Sequence, residues 1–148
     1  MLKLDGSMCC VVCAFIALCL VGCQPDEAVK LVYPDKIVQN TQWSEQDMQK
    51  DIAVQPLYRN AHTSTHLIRL KGKEFPHFHD HHDLTVSMLS GNSTLHFEHH
   101  AVLLAPGDVV FIPKGTFHWA ENTHPVASVV FAVFSPAFSG KDRRRADN

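Results

Sequence analysis

Between Ser64 and Phe134 the chain is a succession of short runs rich in β-branched and aromatic residues: STHLIRL, DLTVSMLS, STLHFE, AVLLA, DVVFI, HWAEN and ASVVFAVF. The stretches KGK, SGN, APGD, PKGT and NTHP break them at close intervals. Glycine and proline supply the backbone angles of tight turns, and no run between them leaves room for a crossover helix. The pattern excludes alternating βα units and predicts an all-β sandwich or barrel. Within DLTVSML, Leu84, Val86 and Met88 fall on one face and Asp83, Thr85 and Ser87 on the other, as the two-residue period of a half-buried strand requires. His66 shares a face with Ile68 and Leu70 by the same rule.

A length of 148 residues is that of one domain with a tether, and a hydrophobic fraction of 45% is enough for a core. The net charge of −2 carries no basic stripe to offset phosphate charge, so nucleic acid is not an expected partner. The short basic run Lys141–Arg145 reads as a solvated terminus, within a tail spanning 139–148.

The five cysteines, Cys9, Cys10, Cys13, Cys19 and Cys23, all lie within the first 23 residues. A disulfide framework would spread them through the fold, and this distribution does not. They sit in and just after the apolar run MCCVVCAFIALCLV, which is short for a bilayer span but long enough for a signal-peptide core. It ends in Leu20-Val21-Gly22-Cys23, which resembles the lipobox of bacterial lipoproteins. That resemblance implies a signal peptide over 1–22, cleavage before Cys23, and acyl chains on its thiol that hold the chain to a membrane. An uncleaved anchor helix is the alternative, and the single Lys3 ahead of the run, offset by Asp5, speaks for it. Either way the folded part lies in the bacterial cell envelope. Gln24 rather than Asp after the cysteine resembles the enterobacterial sorting rule, and that resemblance implies the periplasmic face of the outer membrane in a Gram-negative cell.

Residues 23–59 read as the lipidated cysteine, a tether and leading elements. WSEQDMQKD predicts a short helix with Ser44 as N-cap, Asp47 at the third position, and Trp43 and Met48 placed as a hydrophobic staple. AVKLVYP and KIVQN read as strand fragments, with Pro34 confining the first to an edge. The barrel is expected over 60–138.

Two segments carry the chemistry. The stretch His77-Phe78-His79-Asp80-His81-His82-Asp83 holds four histidines and two aspartates. Further on, Gly107, Pro113, Gly115, His118 and Asn122 occur at fixed intervals in GDVVFIPKGTFHWAEN. This spacing resembles the second motif of the cupin family at every specified position. The first cupin motif is altered: His77 and His79 supply its histidine pair and Gly91 closes it, but Leu84 stands where a glutamate belongs and Asp83 lies one place earlier. Gly72 also sits one residue nearer the pair than the motif asks. The resemblance covers roughly residues 60–135 and implies a single-domain double-stranded β-helix with one divalent metal ion.

In a strand, residues i and i+2 share a face, so His77 and His79 project side by side. With His118 from the second motif they form a three-imidazole set, the reading that the inward alternation of Leu84 favours. A bulge in that strand would instead turn Asp83 inward and add a carboxylate. Neutral imidazole suits Fe(II), Mn, Zn, Ni and Cu, and the residues do not choose among them. The pair His79 and His81 is an alternative with poorer spacing to Gly91. His82 reads as solvated, His66 as a core histidine or a neighbour of the site, and His96, His99 and His100 as surface residues flanking a hairpin. Trp119 reads as packed, Asn122 as a turn cap, and Glu121 as a weak acid–base candidate.

The cupin resemblance implies a lipid-anchored metal protein acting on a small molecule, of the dioxygenase kind, or a non-catalytic module that binds or senses metal or small ligand. An isomerase would require a general base, and no carboxylate is placed for that role. Cupins pair through edge strands, so a homodimer is the expected assembly.

Overall fold

The computed structural model describes residues 29–146, with only the backbone of 36–40. The signal-peptide core, Cys23 and the cleavage position lie outside the described residues.

Strands β1 (Lys30–Tyr33) and β2 (Lys36–Asn40) pair as a small antiparallel hairpin, with Pro34 in its turn. Helix α1 (Glu45–Gln49) follows, and the Ser44 hydroxyl accepts from the Asp47 amide at 3.1 Å, as the N-cap reading expected. Met48 is 45% exposed.

The barrel consists of two five-stranded sheets. One holds β3 (Ile52–Arg59), β4 (Ser64–Leu70), β11 (Ser128–Ser135), β6 (Asp83–Ser90) and β9 (Val109–Ile112), in that order. The other runs β12 (Arg144–Arg145), β5 (His77–Phe78), β10 (His118–Glu121), β7 (Ser93–Phe97) and β8 (Ala101–Leu104). All pairings are antiparallel. This is the all-β, double-stranded β-helix expected from the short punctuated runs.

The core is built from the inward face of each strand: Leu84 and Met88 from β6, Leu95 from β7, Leu104 from β8, Ile112 from β9, and Ala132 and Phe134 from β11. Gly91, at φ 70°, turns the chain from β6 into β7, where any side chain would strike the β11 backbone: a Cβ there would lie 2.7 Å from Ser128 Cα. Gly107 (φ 97°) and Gly115 (φ 75°) also need the left-handed region, but open space surrounds both.

Two boundaries differ from expectation. The barrel sheet begins at Ile52, ahead of residue 60, because β3 pairs with β4 from Ile52 opposite Leu70 to Arg59 opposite Ser64. Pro56 lacks an amide for the ladder, and the edge position of β3 with a register shift between Pro56 and Tyr58 accommodates it. At the other end, the described part of the expected tail, residues 139–146, is not simply solvated. Arg144 and Arg145 form β12 along β5, and Asp142 is only 7% exposed.

The two glycine environments separate strain from collision. Gly91→Ala should cost about 2–4 kcal/mol and Gly107→Ala only about 1–2 kcal/mol, read from urea unfolding. Equal losses would mean that β11 does not hold the β6–β7 turn closely.

Candidate metal centre

Strand register creates the site. His118 of β10 stands directly opposite His77 of β5, and directly paired residues of an antiparallel ladder hold their side chains on one face at close range. Their rings lie 4.5 Å apart between centroids. His79, two residues on, returns to the same face, with its ring 5.0 Å from that of His77 and 5.6 Å from that of His118. The turn after Pro113 secures it, since the Gly115 amide donates to the His79 carbonyl at 2.7 Å. One ring nitrogen from each histidine lies within 4.8 Å of the other two. All three side chains are buried.

Each ring is oriented from behind. Nδ1 of His77 donates to the Phe75 carbonyl at 2.9 Å, Nδ1 of His118 to the Thr116 carbonyl at 2.9 Å, and Nδ1 of His79 to the Asp142 carbonyl at 2.8 Å. A carbonyl can only accept, so the proton resides on Nδ1 and the lone pair on Nε2 in all three. Burial pushes the basicity of His77 down to about 3, helped by the charge of Arg143 and the neighbouring rings. Burial likewise pushes His118 down to about 4 and lowers His79, the latter against the opposing pull of Asp142. These are neutral imidazoles with free lone pairs, the form in which histidine holds a metal.

Asp83 is not among them. Its carboxylate accepts from the Lys114 amide at 2.9 Å in an exposed bond, while Leu84 is buried in the core. A bulge does exist in β6, but it lies at the far end. Partnering with β11 is unbroken from Asp83 to Met88 and slips only between there and Ser90. Asp83 therefore keeps the outward face that alternation assigns it, and the carboxylate reading is corrected to three histidines alone.

His81 is exposed, which removes the alternative pair. His82 corrects the solvated reading: it is 4% exposed, its Nδ1 bonded to the Asp142 carboxylate and its Nε2 3.3 Å from the Ala137 carbonyl. His79, His82 and Asp142 also form a compact cluster, but the His82 ring is already bonded to the Asp142 carboxylate and to the Ala137 carbonyl, and the Asp142 carbonyl holds His79 Nδ1. His99 and His100 are exposed, and His96 stacks on Trp119 at 3.8 Å. Asn122 caps its turn, donating to the Leu70 and Val126 carbonyls and accepting from the His124 amide.

The histidines face a cavity of about 150 Å³. Its walls are apolar, with Leu84, Met88, Leu95 and Ile112 among them, and its polar end holds the three histidines, His66, Glu74 and Arg143. Glu74 and Arg143 were not found from sequence. Glu74 accepts from Arg143 at 2.7 Å and from the Ala120 amide at 3.1 Å. Burial raises its carboxyl above the ordinary range, with the Arg143 charge and the Ala120 N–H working against the shift. His66 completes the polar end. Ser64, 1% exposed, accepts from the Phe138 amide at 2.9 Å and lies 3.0 Å from His66 Nε2. The buried hydroxyl finds its acceptor in that Nε2, which leaves the His66 proton on Nδ1, an atom without a hydrogen-bond partner.

A profile of the family described as "Cupin domain" matches residues 67–134. An uncharacterized protein of Aquifex aeolicus (strain VF5) is 40% identical over 98 residues, 66% of this chain and 80% of the relative. Among solved structures, KdgF from Halomonas sp. superposes with a TM-score of 0.58 at 26% identity, over 64% of this chain and 89% of its own. An RmlC-like cupin from Shewanella frigidimarina NCIMB 400 does so with a TM-score of 0.57 at 24% identity, over 67% and 92%.

The depressed basicity of the histidines fixes a pH dependence. Below the ordinary imidazole value of 6.5 the unfolded chain takes up protons that the folded chain refuses until about 4 at His118 and about 3 at His77. The unfolded state then binds more protons, so the stability of the metal-free fold falls as pH drops from 6.5 toward 4. Urea midpoints at about pH 7 and about pH 4.5 should differ in that direction, and replacing both residues with Phe should flatten the difference.

Proposed function

The chain belongs to the cupin superfamily, and on that footing we propose that it is a mononuclear metalloprotein that works on a small molecule inside its barrel. His77, His79 and His118 would hold one divalent ion through Nε2. The observation that carries this reading is the set of three carbonyls behind the rings, which commits every Nδ1 and leaves Nε2 as the ligand atom, in a cluster where one ring nitrogen of each histidine lies within 4.8 Å of the others. A donor set of imidazoles without a carboxylate or thiolate suits Fe(II), Zn, Ni, Cu or Mn. When bound, the ion supplies Lewis acidity and open coordination positions for a heteroatom of the ligand.

The chain's own residues narrow the ligand. A cavity of about 150 Å³ takes a body of roughly benzene size. The largely apolar walls favour an apolar body, and His66 offers an N–H to an acceptor oxygen on the same molecule. The preferred reaction class is metal-dependent dioxygenation of such a molecule, since an ion on the three histidines would face a largely apolar space. One observation favours a second class. Glu74 places a carboxyl of raised basicity in the cavity, and such a group can take and return a proton from a carbon acid, as an isomerase requires.

One experiment separates these readings. The full-length chain is loaded with Fe(II) and offered phenols, thiols and β-diketones, with oxygen uptake and deuterium wash-in from D₂O followed together. Oxygen uptake supports dioxygenation, and wash-in lost in Glu74→Gln supports proton transfer. Metal bound with neither supports a module that binds or senses its ligand. His118→Ala should weaken metal binding by more than about 100-fold, whereas Asp83→Ala should change it by less than about 10-fold.

The N-terminal reading belongs to the same proposal: Cys23 carries the acyl chains that hold the barrel at the envelope membrane. The intact mass of the membrane-extracted chain, set against Cys23→Ser, tests it. An unmodified cysteine would remove the acyl anchor and leave the uncleaved helix as the alternative.

A further inference from the structure

The back of the metal centre is made by a segment distant from it in sequence. Residues 141–146 run along β5, the strand that begins with His77. Arg144 and Arg145 pair with Phe78 and His77, and the Ala146 amide donates to the Pro76 carbonyl at 3.1 Å. Asp142 acts at three points. Its carbonyl holds His79 Nδ1. Its carboxylate accepts from the amides of Asp80 at 3.1 Å and His81 at 2.9 Å. The same carboxylate binds the buried His82 ring. Together these contacts fix both the His79 ring and the loop that follows it.

The flanking arginines fasten the segment on either side. Arg143 pairs with Glu74 and lies over the Phe75 ring at 4.3 Å. Arg144 grips the Asp80 carboxylate with two bonds, of 2.7 and 2.9 Å, and lies over Phe78 at 4.2 Å. The Arg144 pair is exposed and contributes little by itself in water. The buried Asp142 cluster is the part that reaches the histidines.

We infer that Asp142 is a positioning residue for the metal centre, and that docking of residues 141–146 and metal binding are coupled halves of one equilibrium. This rests on the metal reading proposed above. Undocked, the segment leaves His79 Nδ1 without its carbonyl and frees the loop 80–82, so the third Nε2 is no longer held toward the other two. Docked, it completes the set. Coupling of this kind is reciprocal: whatever factor docking adds to metal affinity, metal adds to docking.

The test uses the full-length chain and Zn(II) competed against a chromophoric chelator. Truncation after Gly140 and Asp142→Ala should each weaken zinc binding by about 10- to 100-fold. The exposed control Lys50→Ala should leave it unchanged. Because a truncated chain could lose its fold, the unmodified protein supplies a second measurement. Trypsin cuts after Lys141, Arg143, Arg144 and Arg145, and saturating zinc should slow those cuts by a comparable factor, followed by mass spectrometry. Zinc bound with no effect on cleavage, or variants with unchanged zinc affinity, overturns the inference while leaving the three-histidine site intact. A chain that takes up no zinc overturns that site and the coupling with it.

Discussion

The pairing of His77 with His118 across β5 and β10 is the constraint on which the centre depends. A two-residue strand has little register of its own, so other bonds must hold it. The Gly115 amide ties down the end of the histidine pair, and β12 covers the opposite edge of β5. With register fixed, three rings converge from backbone geometry, and the carbonyls behind them decide which nitrogen each ring offers. The second motif's Pro-x-Gly turn thus serves two ends: it shapes the approach to His118, and its left-handed glycine anchors His79.

Residues whose roles follow from local periodicity were legible in the sequence. His77 and His79 share a strand face, Leu84 and Met88 mark the inward side of β6, and Gly91 marks the turn. Residues whose roles come from contacts distant in sequence were not. Asp142 meets Asp80 and His82 across 62 and 60 positions of chain, and Arg143 meets Glu74 across 69. In sequence, Lys141–Arg145 has the composition of a solvated end. Only the acidic residue interrupting that basic run hinted at specific partners. β3 escaped for a different reason: Pro56 lies in the middle of its pattern, and nothing local reveals that the strand lies at an edge where a missing amide costs little.

An apolar barrel that carries polar groups at one end must satisfy nearly all of them. The carbonyls of Phe75, Thr116 and Asp142, the Asn122 cap and the Glu74–Arg143 pair do so here. Two atoms of the cavity lining, His66 Nδ1 and Arg143 Nε, are buried without a hydrogen-bond partner. A group left in that condition is expensive to keep in a resting fold, and a ligand oxygen placed against His66 Nδ1 would offset that cost.

The position of Met88 has a chemical consequence. All five cysteines precede residue 24, so Met48 and Met88 carry the only sulfur atoms among the described residues, and Met88 lies in the cavity wall. A thioether there is the softest reductant near the centre. Any reactive oxygen species escaping productive chemistry would meet it first and convert it to a polar, chiral sulfoxide. The wall would then no longer be apolar at that point, so an oxidising centre in this barrel would be chemically self-limiting, with a lifetime set by how tightly it couples oxidant to substrate.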